Sequence, residues 1–425
     1  MTLVVQFGLS VGANIPTNVM VLGSATQGII GTDVIGNTSI LADYSGREME
    51  LSITHTSDRT SSKLNAYGSR TCTLKLINMD GALDPYVLEG LGLTAPGVIM
   101  RLWKIWAGIS YPIFYGFVDA WNPDAETPEL GTVTVTATDG FKLLNQPIDQ
   151  LGAPIGAGEA VSVRIDNILT VMNWPAGLRA LGPTDSNLQA TSYGAAGLEL
   201  IQDAVKNEVG EFYQQPDGYM YLRGRHSIVT DARSNTSQAT FGSNRAGGEI
   251  PYVGRPVSAW DMQTMHNRVK AQINGSTNVM VAQNSTSIGL YGTQYTIEET
   301  SLNLRFDSEA QSWANYVLAQ DVKPRFRFSG ITISSFVENL GVSVMPHALG
   351  RRFGDRITVV RRPPAQPYGS IVDSRQLLIR GVNHTWSRKG KQWLTTWDLE
   401  PVSSTPAFVI GSATQGVIGS NALAW

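Results

Sequence analysis

Alternation of polar and apolar residues along short segments is the feature of this sequence that most restricts its fold. In residues 131–139, GTVTVTATD, apolar side chains fall on every second position and threonines fill the positions between them. Because successive side chains of a strand point to opposite faces, this spacing predicts a β-strand. One face is expected to carry Val133, Val135 and Ala137, and the other Thr132, Thr134 and Thr136.

Further strands are predicted on both sides of this segment. They are LSITHT (51–56), TCTLKLIN (71–78), VIMRLWKIW (98–106), PIFYGFVDAW (112–121), RVKAQING (268–275), RITVVRRP (356–363) and a hairpin over 376–401 that turns at Lys389-Gly390-Lys391. Short strands separated by Gly, Pro and Asp turns favour a barrel or a sandwich.

The middle of the chain changes to a helical period. In SVRIDNILTVMNWP the apolar residues recur at helix spacing until Pro175, and GLELIQDAVKNEVGEFY repeats that period. Pro216-Asp217-Gly218 predicts a turn between two strands, so residues 160–225 are interpreted as a small α+β module. A further helix is predicted over 307–321, with Asp307 or Ser308 as its N-cap.

The chain of 425 residues is too long for one ordinary core, and its order of elements predicts several domains. The fold class is mainly β with a small α+β module: two β-barrel-like tube domains, an inserted domain and extended terminal arms. The boundaries are an N-terminal arm (1–45), a first β-barrel domain (46–158), an α+β domain (159–262), a second β-barrel domain (263–402) with an inserted helix (307–321), and a C-terminal arm (403–425).

Charge is distributed unevenly along the chain. Residues 1–150 hold 8 Lys/Arg and 14 Asp/Glu, a net charge of −6, whereas residues 323–393 hold 13 Lys/Arg and 3 Asp/Glu, a net charge of +10. The basic stretch includes Arg351, Arg352, Arg356, Arg361 and Arg362. It fits nucleic-acid binding, or head-to-tail contact with the acidic end of another copy, or a solvated surface without a partner. Contact with another subunit, or with a neighbouring acidic ring, is the favoured hypothesis.

No motif of a catalytic, metal or cofactor site is convincing. Cys72 is the only cysteine, and the five histidines are scattered, so neither a metal ligand set nor a cofactor is predicted. The tryptophans on predicted strands are interpreted as core or interface rather than as a sugar-binding stripe; they are Trp103, Trp106, Trp121, Trp386, Trp393 and Trp397. No signal peptide or membrane span is predicted. We therefore expect a protein without enzymatic activity.

One polar turn resembles a calcium loop only superficially. Its oxygen donors are closely spaced, at Asn78, Asp80 and Asp84, with Gly81 and Pro85 beside them. The alternating acids and final glutamate of an EF-hand are missing, so a turn with Gly81 at positive φ is the better interpretation.

A hexapeptide, GSATQG, occurs near both ends of the chain. The copies comprise Gly23, Ser24, Ala25, Thr26, Gln27 and Gly28, and Gly411, Ser412, Ala413, Thr414, Gln415 and Gly416. Both have apolar flanks, and extended arms of this composition readily add to the edge of a neighbouring sheet. We hypothesise that the two copies make similar strand contacts, one for each tube domain.

Several segments, in this order, resemble minor tail proteins of siphophages of the tail hub class. Residues 62–86 resemble the strand that runs into "N-x-DG-x-x-DP", and 114–125 resemble "G-x-V-D-x-W". Residues 200–225 resemble "E-x-G-x-x-Y/F-x-x-x-DG-x-x-x-x-x-R", and 378–401 resemble "V-x-G-I-x-H-x-I…L-x-P", with Asn383 and Trp386 as departures. Such hubs are similar to the baseplate hub of contractile phages and to the spike base of type VI secretion.

This resemblance implies a protein of the virion, at the distal end of a tail, made in the cytoplasm of a bacterial host. Three subunits, each with two tube domains, would form a ring that continues a six-fold tail tube and closes it. The implied partners are other copies in a homotrimer, the distal tail protein ring, the tape measure protein and tip or receptor-binding proteins, while DNA passes through the lumen without specific binding. The particle is a phage or a gene transfer agent. A tail-tip cell-wall hydrolase and a carbohydrate-binding receptor protein are the alternatives.

Overall fold

The structure is a computed structural model that describes residues 2–8, 42–55, 64, 66–95, 97–124, 131–148, 150–261, 265–341, 343–362 and 372–402. Both GSATQG hexapeptides, residues 9–41 of the predicted N-terminal arm and all of the predicted C-terminal arm lie outside the described residues. The hypothesis about the two hexapeptides therefore stays a prediction.

Strands dominate the fold, as the alternation predicts. In chain order they are β1 (Thr2–Gly8), β2 (Ala42–Asp43), β3 (Glu48–Thr54), β4 (Thr71–Ile77), β5 (Ile99–Trp106), β6 (Ile109–Asp124), β7 (Thr132–Thr138), β8 (Gln150–Ile155), β9 (Arg179–Leu181), β10 (Thr191–Tyr193), β11 (Glu211–Gln214), β12 (Met220–Arg223), β13 (Ser237–Phe241), β14 (Val253–Asp261), β15 (Arg268–Ile273), β16 (Val279–Gln283), β17 (Thr296–Leu302), β18 (Arg325–Ser334), β19 (Arg356–Arg361), β20 (Asp373–Ser387) and β21 (Gln392–Pro401). Every segment predicted as a strand contains one of these strands.

The helices are shorter and lie between the strands. They are α1 (Pro85–Gly90), α2 (Phe141–Leu144), α3 (Val161–Val171), α4 (Gly197–Glu208), α5 (Ser227–Thr230), α6 (Ala232–Asn235), α7 (Ser285–Tyr291), α8 (Asp307–Gln320) and α9 (Met345–Gly350), with 3-10 turns at Ala176–Leu178, Arg245–Gly247 and Ser335–Leu340. The helices predicted near 164–175, after residue 197 and over 307–321 correspond to α3, α4 and α8.

One large sheet runs through both halves of the chain. In the described residues it has thirteen strands in the order β14-β18-β21-β20-β3-β4-β7-β6-β5-β1-β2, with β19 beside β20 and β13 beside β19. The first strand, β1, lies in the range predicted as an arm and pairs along its whole length with β5. The fold is therefore mainly β, as predicted.

The sheet consists of two modules with the same strand order. The first module is β3-β4-β7-β6-β5-β1 and the second module is β14-β18-β21-β20-β19-β13. In the first module the chain passes from β4 through the helix α1 to β5, which lies three places further along the order, and then runs back antiparallel through β6 to β7, beside β4. The second module repeats this path from β18 through α9 to β19 and back through β20 to β21, beside β18. Only the last pair differs in direction, because β1 pairs antiparallel with β5 and β13 pairs parallel with β19.

An irregularity in the ladder recurs at the same place in both modules. The pairing of β6 with β7 shifts between Val118 and Ala120, and the pairing of β20 with β21 shifts between Ile379 and Gly381. A single extra residue on one strand is a β-bulge, which bends the strand and increases its twist. The long strand of each module is thus bent at the same position, which supports a structural duplication.

Two smaller units are attached to the modules. In the first, α3 and α4 pack together beside the sheet β11-β12-β9. In the second, β15, β16 and β17 pair only with one another among the described strands, and α8 covers them through the buried side chains of Trp313 and Val317. The indole Nε1 of Trp313 donates to the Lys206 carbonyl at 3.1 Å, which connects the two units.

The prediction of the α8 N-cap was wrong. The cap is Phe306, and Asp307 is already the first helical residue. The Glu309 carboxylate accepts from the backbone N–H of the cap residue Phe306 at 3.1 Å and from that of Arg305, just before the cap, at 3.0 Å. Glu309 therefore bonds the backbone that enters the helix, as the glutamate of a capping box does, while the cap position holds a phenylalanine.

Burial follows the predicted alternation. Along β7, Val133, Val135 and Ala137 are buried while the threonines between them are half-buried. Among the tryptophans whose side chains the structure describes, none is exposed, and Trp393 and Trp397 are completely buried. Trp106, Trp121 and Trp386 are partly buried and pack against this core. The prediction of a core position is therefore confirmed for Trp393 and Trp397.

Candidate assembly surfaces

The two modules meet where the end of β20 pairs with β3. The long strand β20 pairs with β19 over its first part, from Asp373 to Leu378, and with β3 over its last part, from His384 to Ser387. The facing residues of β3 run antiparallel, from Ile53 back to Glu50. We call this contact the module joint. It makes the second module continue directly into the first.

Backbone and side-chain hydrogen bonds reinforce the module joint. The Asn383 side-chain oxygen accepts from the His55 backbone N–H at 2.9 Å, and the His55 carbonyl accepts from the Val382 N–H at 3.1 Å. At the other end, the N–H of Arg388 donates to the Met49 carbonyl at 2.8 Å. Hydrogen bonds therefore extend the module joint at both ends, beyond the four residue pairs of the ladder.

A buried lysine lies against the module joint. The Lys104 ammonium, on β5 of the first module, lies 5.7 Å from the ring centre of Trp386 and 5.4 Å from that of Trp393, both in the second module. Its side chain is almost completely buried, and burial lowers the pKa of Lys104 to about 8, against the opposing effect of the Glu48 carboxylate. Contact with aromatic faces favours the charged form of a lysine.

The burial of Lys104 predicts a pH dependence of stability. Because the pKa is lower in the folded chain than in the unfolded one, the folded state releases this proton first, and stability rises as the pH increases from about 8 to about 10.5. Replacing Lys104 with Met should remove this rise, on the order of 3 kcal/mol. Guanidinium unfolding of both proteins across this pH range measures it. Parallel pH profiles for the two proteins would contradict the expectation.

Buried ion pairs connect the α+β unit to the second module. Arg380, on β20, is 1% exposed, and it binds Glu400 on β21 through Nε at 2.5 Å and Glu211 on β11 through Nη1. Burial alone would lower the pKa of Arg380, but the charges of Glu211 and Glu400 raise it well above its ordinary value. One guanidinium therefore joins three strands of two units.

A second ion pair joins helix α6 to the turn before β19. Asp355, in the turn before β19, is 1% exposed and accepts two hydrogen bonds from Arg233 of α6, at 2.6 and 2.5 Å. A third comes from the backbone N–H of Arg352 at 3.1 Å. Buried charges need partners of this kind, because an unpaired one is costly. These groups pair the helix α6 with the turn before β19.

The five arginines singled out from the sequence cluster around β19. Arg351 and Arg352 lie just before it, Arg356 and Arg361 lie at its two ends, and Arg362 follows it. Partners within the chain include His347 and Gln238 for Arg351, Asp217 for Arg352, Gln376 for Arg356 and Glu249 for Arg362. The structure thus brings the five together and neutralises part of their charge internally. Their role in subunit contact stays a prediction.

The polar turn at residues 78–85 is a turn and a helix cap. Gly81 has φ of +69°, in the left-handed region, as expected. The Asn78 side chain accepts from the Leu83 N–H at 2.8 Å, Asp84 caps α1 through the Tyr86 N–H at 2.9 Å, and Pro85 begins the helix.

Asp80 of the same turn pairs with Arg47 at 2.5 Å, and this contact holds the pKa of Asp80 well below its usual range. The described residues hold no group of three or more His, Cys, Asp or Glu side chains that could bind a metal ion. Within the same residues, no helix has the length and apolar character that a membrane crossing requires.

The fold defines the class of this chain as a duplicated β module with inserted α/β units. This is the fold of prophage tail proteins. The 43 kDa tail protein of prophage MuSo2 from Shewanella oneidensis matches with 13% identity and a TM-score of 0.51, over 85% of this chain and 95% of that one. A tail protein from Neisseria meningitidis MC58 matches with 13% identity and a TM-score of 0.53, over 84% and 93%.

A component of the Escherichia coli type VI secretion system, c3393, described as similar in structure to the T4 tail proteins gp27 and gp5, matches with 10% identity and a TM-score of 0.44, over 85% and 78%. The fold assignment rests on the first two matches, which show the fold that the resemblance to tail proteins implies. No protein-family model and no curated protein matches the sequence.

Proposed function

We propose that this chain is the structural hub at the distal end of a phage tail, or of a related particle such as a gene transfer agent. Three copies form a ring that continues the tail tube and closes it. The observation that carries this proposal is the duplication: the two modules share their strand order and their bulge and join within one sheet. A six-fold tube needs six modules, and three copies of a two-module chain supply them.

In this role the chain contacts several partners. The distal tail protein ring lies above it, the tape measure protein reaches it through the tube, and tip or receptor-binding proteins attach below. The lumen lets DNA pass without specific binding. The repeated hexapeptides and the arginines around β19 contact neighbouring subunits, where complementary charge aligns the copies.

The mass of the purified chain in solution tests this proposal. The expected assembly has three times the chain mass of 46.0 kDa, or about 138 kDa, and projections in the electron microscope should show a ring with six similar lobes. Deleting residues 403–425, or raising the salt concentration, should weaken the assembly, because exposed ion pairs are screened over about 8–10 Å at physiological salt. Strong, salt-sensitive binding of DNA by the free protein would reassign the basic stretch.

A chain that is monomeric at micromolar concentration would overturn the proposal. Clearing of peptidoglycan by the purified protein would replace it with a cell-wall hydrolase. Binding to host cell-wall glycans without self-association would replace it with a receptor module.

A further inference from the structure

A cavity lies beside the module joint, where the two modules and the α+β unit meet. Its volume is about 40 Å³, and Ile53 of β3 and His384 of β20, which face each other in the ladder of the joint, both line it. Further parts of the wall come from the turn between β11 and β12, around Gln215, and from residues 349–353, which lead from α9 towards β19. Because about 10–15 Å³ holds one water molecule, this volume suits a ligand of about three heavy atoms.

Three arginines line this cavity, and they are buried to different depths. The Arg352 side chain is 38% exposed, the Arg351 side chain is 15% exposed, and Arg70 is only 4% exposed. Positive charge therefore extends from the surface at Arg352 to the interior at Arg70.

The two outer arginines have no carboxylate in direct contact among the described residues. Arg351 lies 3.8 Å from Asp355, and Arg352 lies 3.9 Å from Asp217. Asp355 is also the acceptor of two shorter hydrogen bonds from Arg233. Charge-assisted hydrogen bonds between a guanidinium and a carboxylate are usually about 2.7–2.9 Å long, so both arginines can take a closer acceptor.

Arg70, at the inner end of the cavity, has few acceptors for its charge. Its Nε and Nη2 share one acceptor, Nδ1 of His55, at 3.1 and 2.9 Å, and no hydrogen bond of its Nη1 falls within the described residues. That partner is neutral, because burial and the charge of Arg70 hold the pKa of His55 well below its ordinary range. A guanidinium has five N–H donors and stays charged in proteins, so a buried one needs acceptors around it.

Nearby carboxylates compensate Arg70 only in part. Burial lowers the pKa of Arg70 to about 10, against the opposing charges of Asp139 and Asp217, but within the described part of the chain neither comes within 4.0 Å of its guanidinium. Asp139 accepts from the backbone N–H of Arg70 at 2.8 Å and of Phe141 at 3.2 Å, and burial raises its pKa to about 7. On the other wall, burial and then the charge of Arg70 lower the pKa of His384 to about 3. The positive field of Arg70 therefore reaches across the cavity.

We propose that this cavity binds a small monovalent anion against Arg70, either a halide ion or a short carboxylate such as formate. The anion supplies the counter-charge that the buried guanidinium lacks, in a charge-assisted hydrogen bond. Gln215 is a second ligand: it is 5% exposed, its amide oxygen has no hydrogen bond among the described residues, and its amide nitrogen can donate to the anion.

The bound anion contacts all three units at once and so stabilises the way in which they meet. This inference does not rest on the proposed function, because every group of the site belongs to a single chain. Larger anions such as phosphate and sulfate, with five heavy atoms, exceed the volume of the cavity.

Bromide locates the site directly, because its anomalous scattering distinguishes it from water. Crystals of the full chain soaked in bromide should show an anomalous peak within hydrogen-bonding distance of a guanidinium nitrogen of Arg70. Bromide bound only at the protein surface, with water against Arg70, would overturn the proposal.

Thermal unfolding in solution measures the affinity. Sodium chloride or sodium formate replaces sodium methanesulfonate at constant sodium concentration, since methanesulfonate is monovalent but has five heavy atoms. A ligand that binds only the folded chain stabilises it by mass action, so the midpoint should rise by about 1–2 °C for each ten-fold increase of the small anion above its Kd. The same midpoint in all three anions would contradict the site.

One variant separates an anion site from a merely structural arginine. Gln215→Glu places a carboxylate in the wall of the cavity at almost unchanged volume, so it should raise the midpoint in methanesulfonate and abolish the response to chloride. If Gln215→Glu is instead less stable than the wild type in every anion, the carboxylates near Arg70 already neutralise it and the proposal fails.

A pair of charge variants completes the test. Arg70→Gln removes the buried charge and should abolish the response to chloride. Arg375→Gln is the matched control, because it removes the same charge from a side chain that is 49% exposed on β20, and it should keep the response. A chloride response that survives in Arg70→Gln would place the anion elsewhere and overturn the assignment.

Discussion

Arg380→Ala is expected to lower the free energy of unfolding by about 3–5 kcal/mol. The arginine is 1% exposed and lies between two carboxylates, Glu211 and Glu400, which are themselves almost completely buried. Its removal takes from both buried carboxylates the guanidinium that pairs with them and leaves Glu211 with the more distant Arg223, at 3.5 Å. The cost of such a poorly compensated buried charge exceeds the net value of the pair that was lost. Guanidinium unfolding followed by circular dichroism measures the change.

Two further variants separate the charge effect from a packing effect. Arg380→Met combined with Glu211→Gln and Glu400→Gln removes all three charges, and it should recover most of the lost stability. Arg380→Lys keeps one charge but cannot hold two carboxylates with a planar fork, so its loss should lie between those of the other two variants. If the neutral triple variant is no more stable than Arg380→Ala, packing around Arg380 and not charge explains the loss.

Local periodicity predicted the strands of this protein well, because apolar residues occupy every second position of a strand that has one buried face. The segment around Val133 is the clearest case, and its three apolar residues are buried as expected. The same reasoning placed Trp393 and Trp397 in the core. Helices α3 and α4 were equally predictable from their helical period.

Contacts between distant segments had no such local signal. The hydrogen bond from His55 to Asn383 joins residues 328 positions apart, and no pattern in either segment specifies the other. The shared strand order of the two modules was likewise invisible as a sequence repeat, because a fold constrains which positions are apolar and not which residues occupy them. The prediction of the α8 cap failed because Ser and Asp are good caps, whereas the helix begins directly after Phe306, and Glu309 bonds the N–H groups of Phe306 and Arg305 at its entrance.

Lys104 was not identified from the sequence, although the alternation around it places it on the buried face of a strand. In IMRLWKIW the alternate positions Met100, Leu102 and Lys104 share a face, so the period that predicted the strand also placed a lysine on the buried side. A charged residue on a buried face needs a partner or an aromatic neighbour, and the two indole rings near Lys104 meet this need. Such exceptions to alternation are the place to look for contacts between modules.

Trp393→Ala is expected to cost about 3–5 kcal/mol of unfolding free energy and to loosen the module joint at the same time. Trp393 is completely buried, pairs across the ladder with Trp386, and donates from its backbone N–H to the Ser335 hydroxyl at 2.9 Å. Its ring also lies 5.4 Å from that of His384, the first residue of β20 that pairs with β3. Trp393→Phe keeps an aromatic ring in this position and should lose clearly less.

The effect on assembly distinguishes a loosened joint from a general loss of stability. If a ring requires the two modules to be held at a fixed angle, Trp393→Ala should lower the share of three-copy assemblies at a temperature where the single chain is still folded. Ile168→Ala, in the α+β unit and equally buried, is the matched control, and it should reduce stability while leaving assembly unchanged. If both variants reduce assembly in proportion to their loss of stability, the joint has no special role, and the angle between the modules is not what the ring depends on.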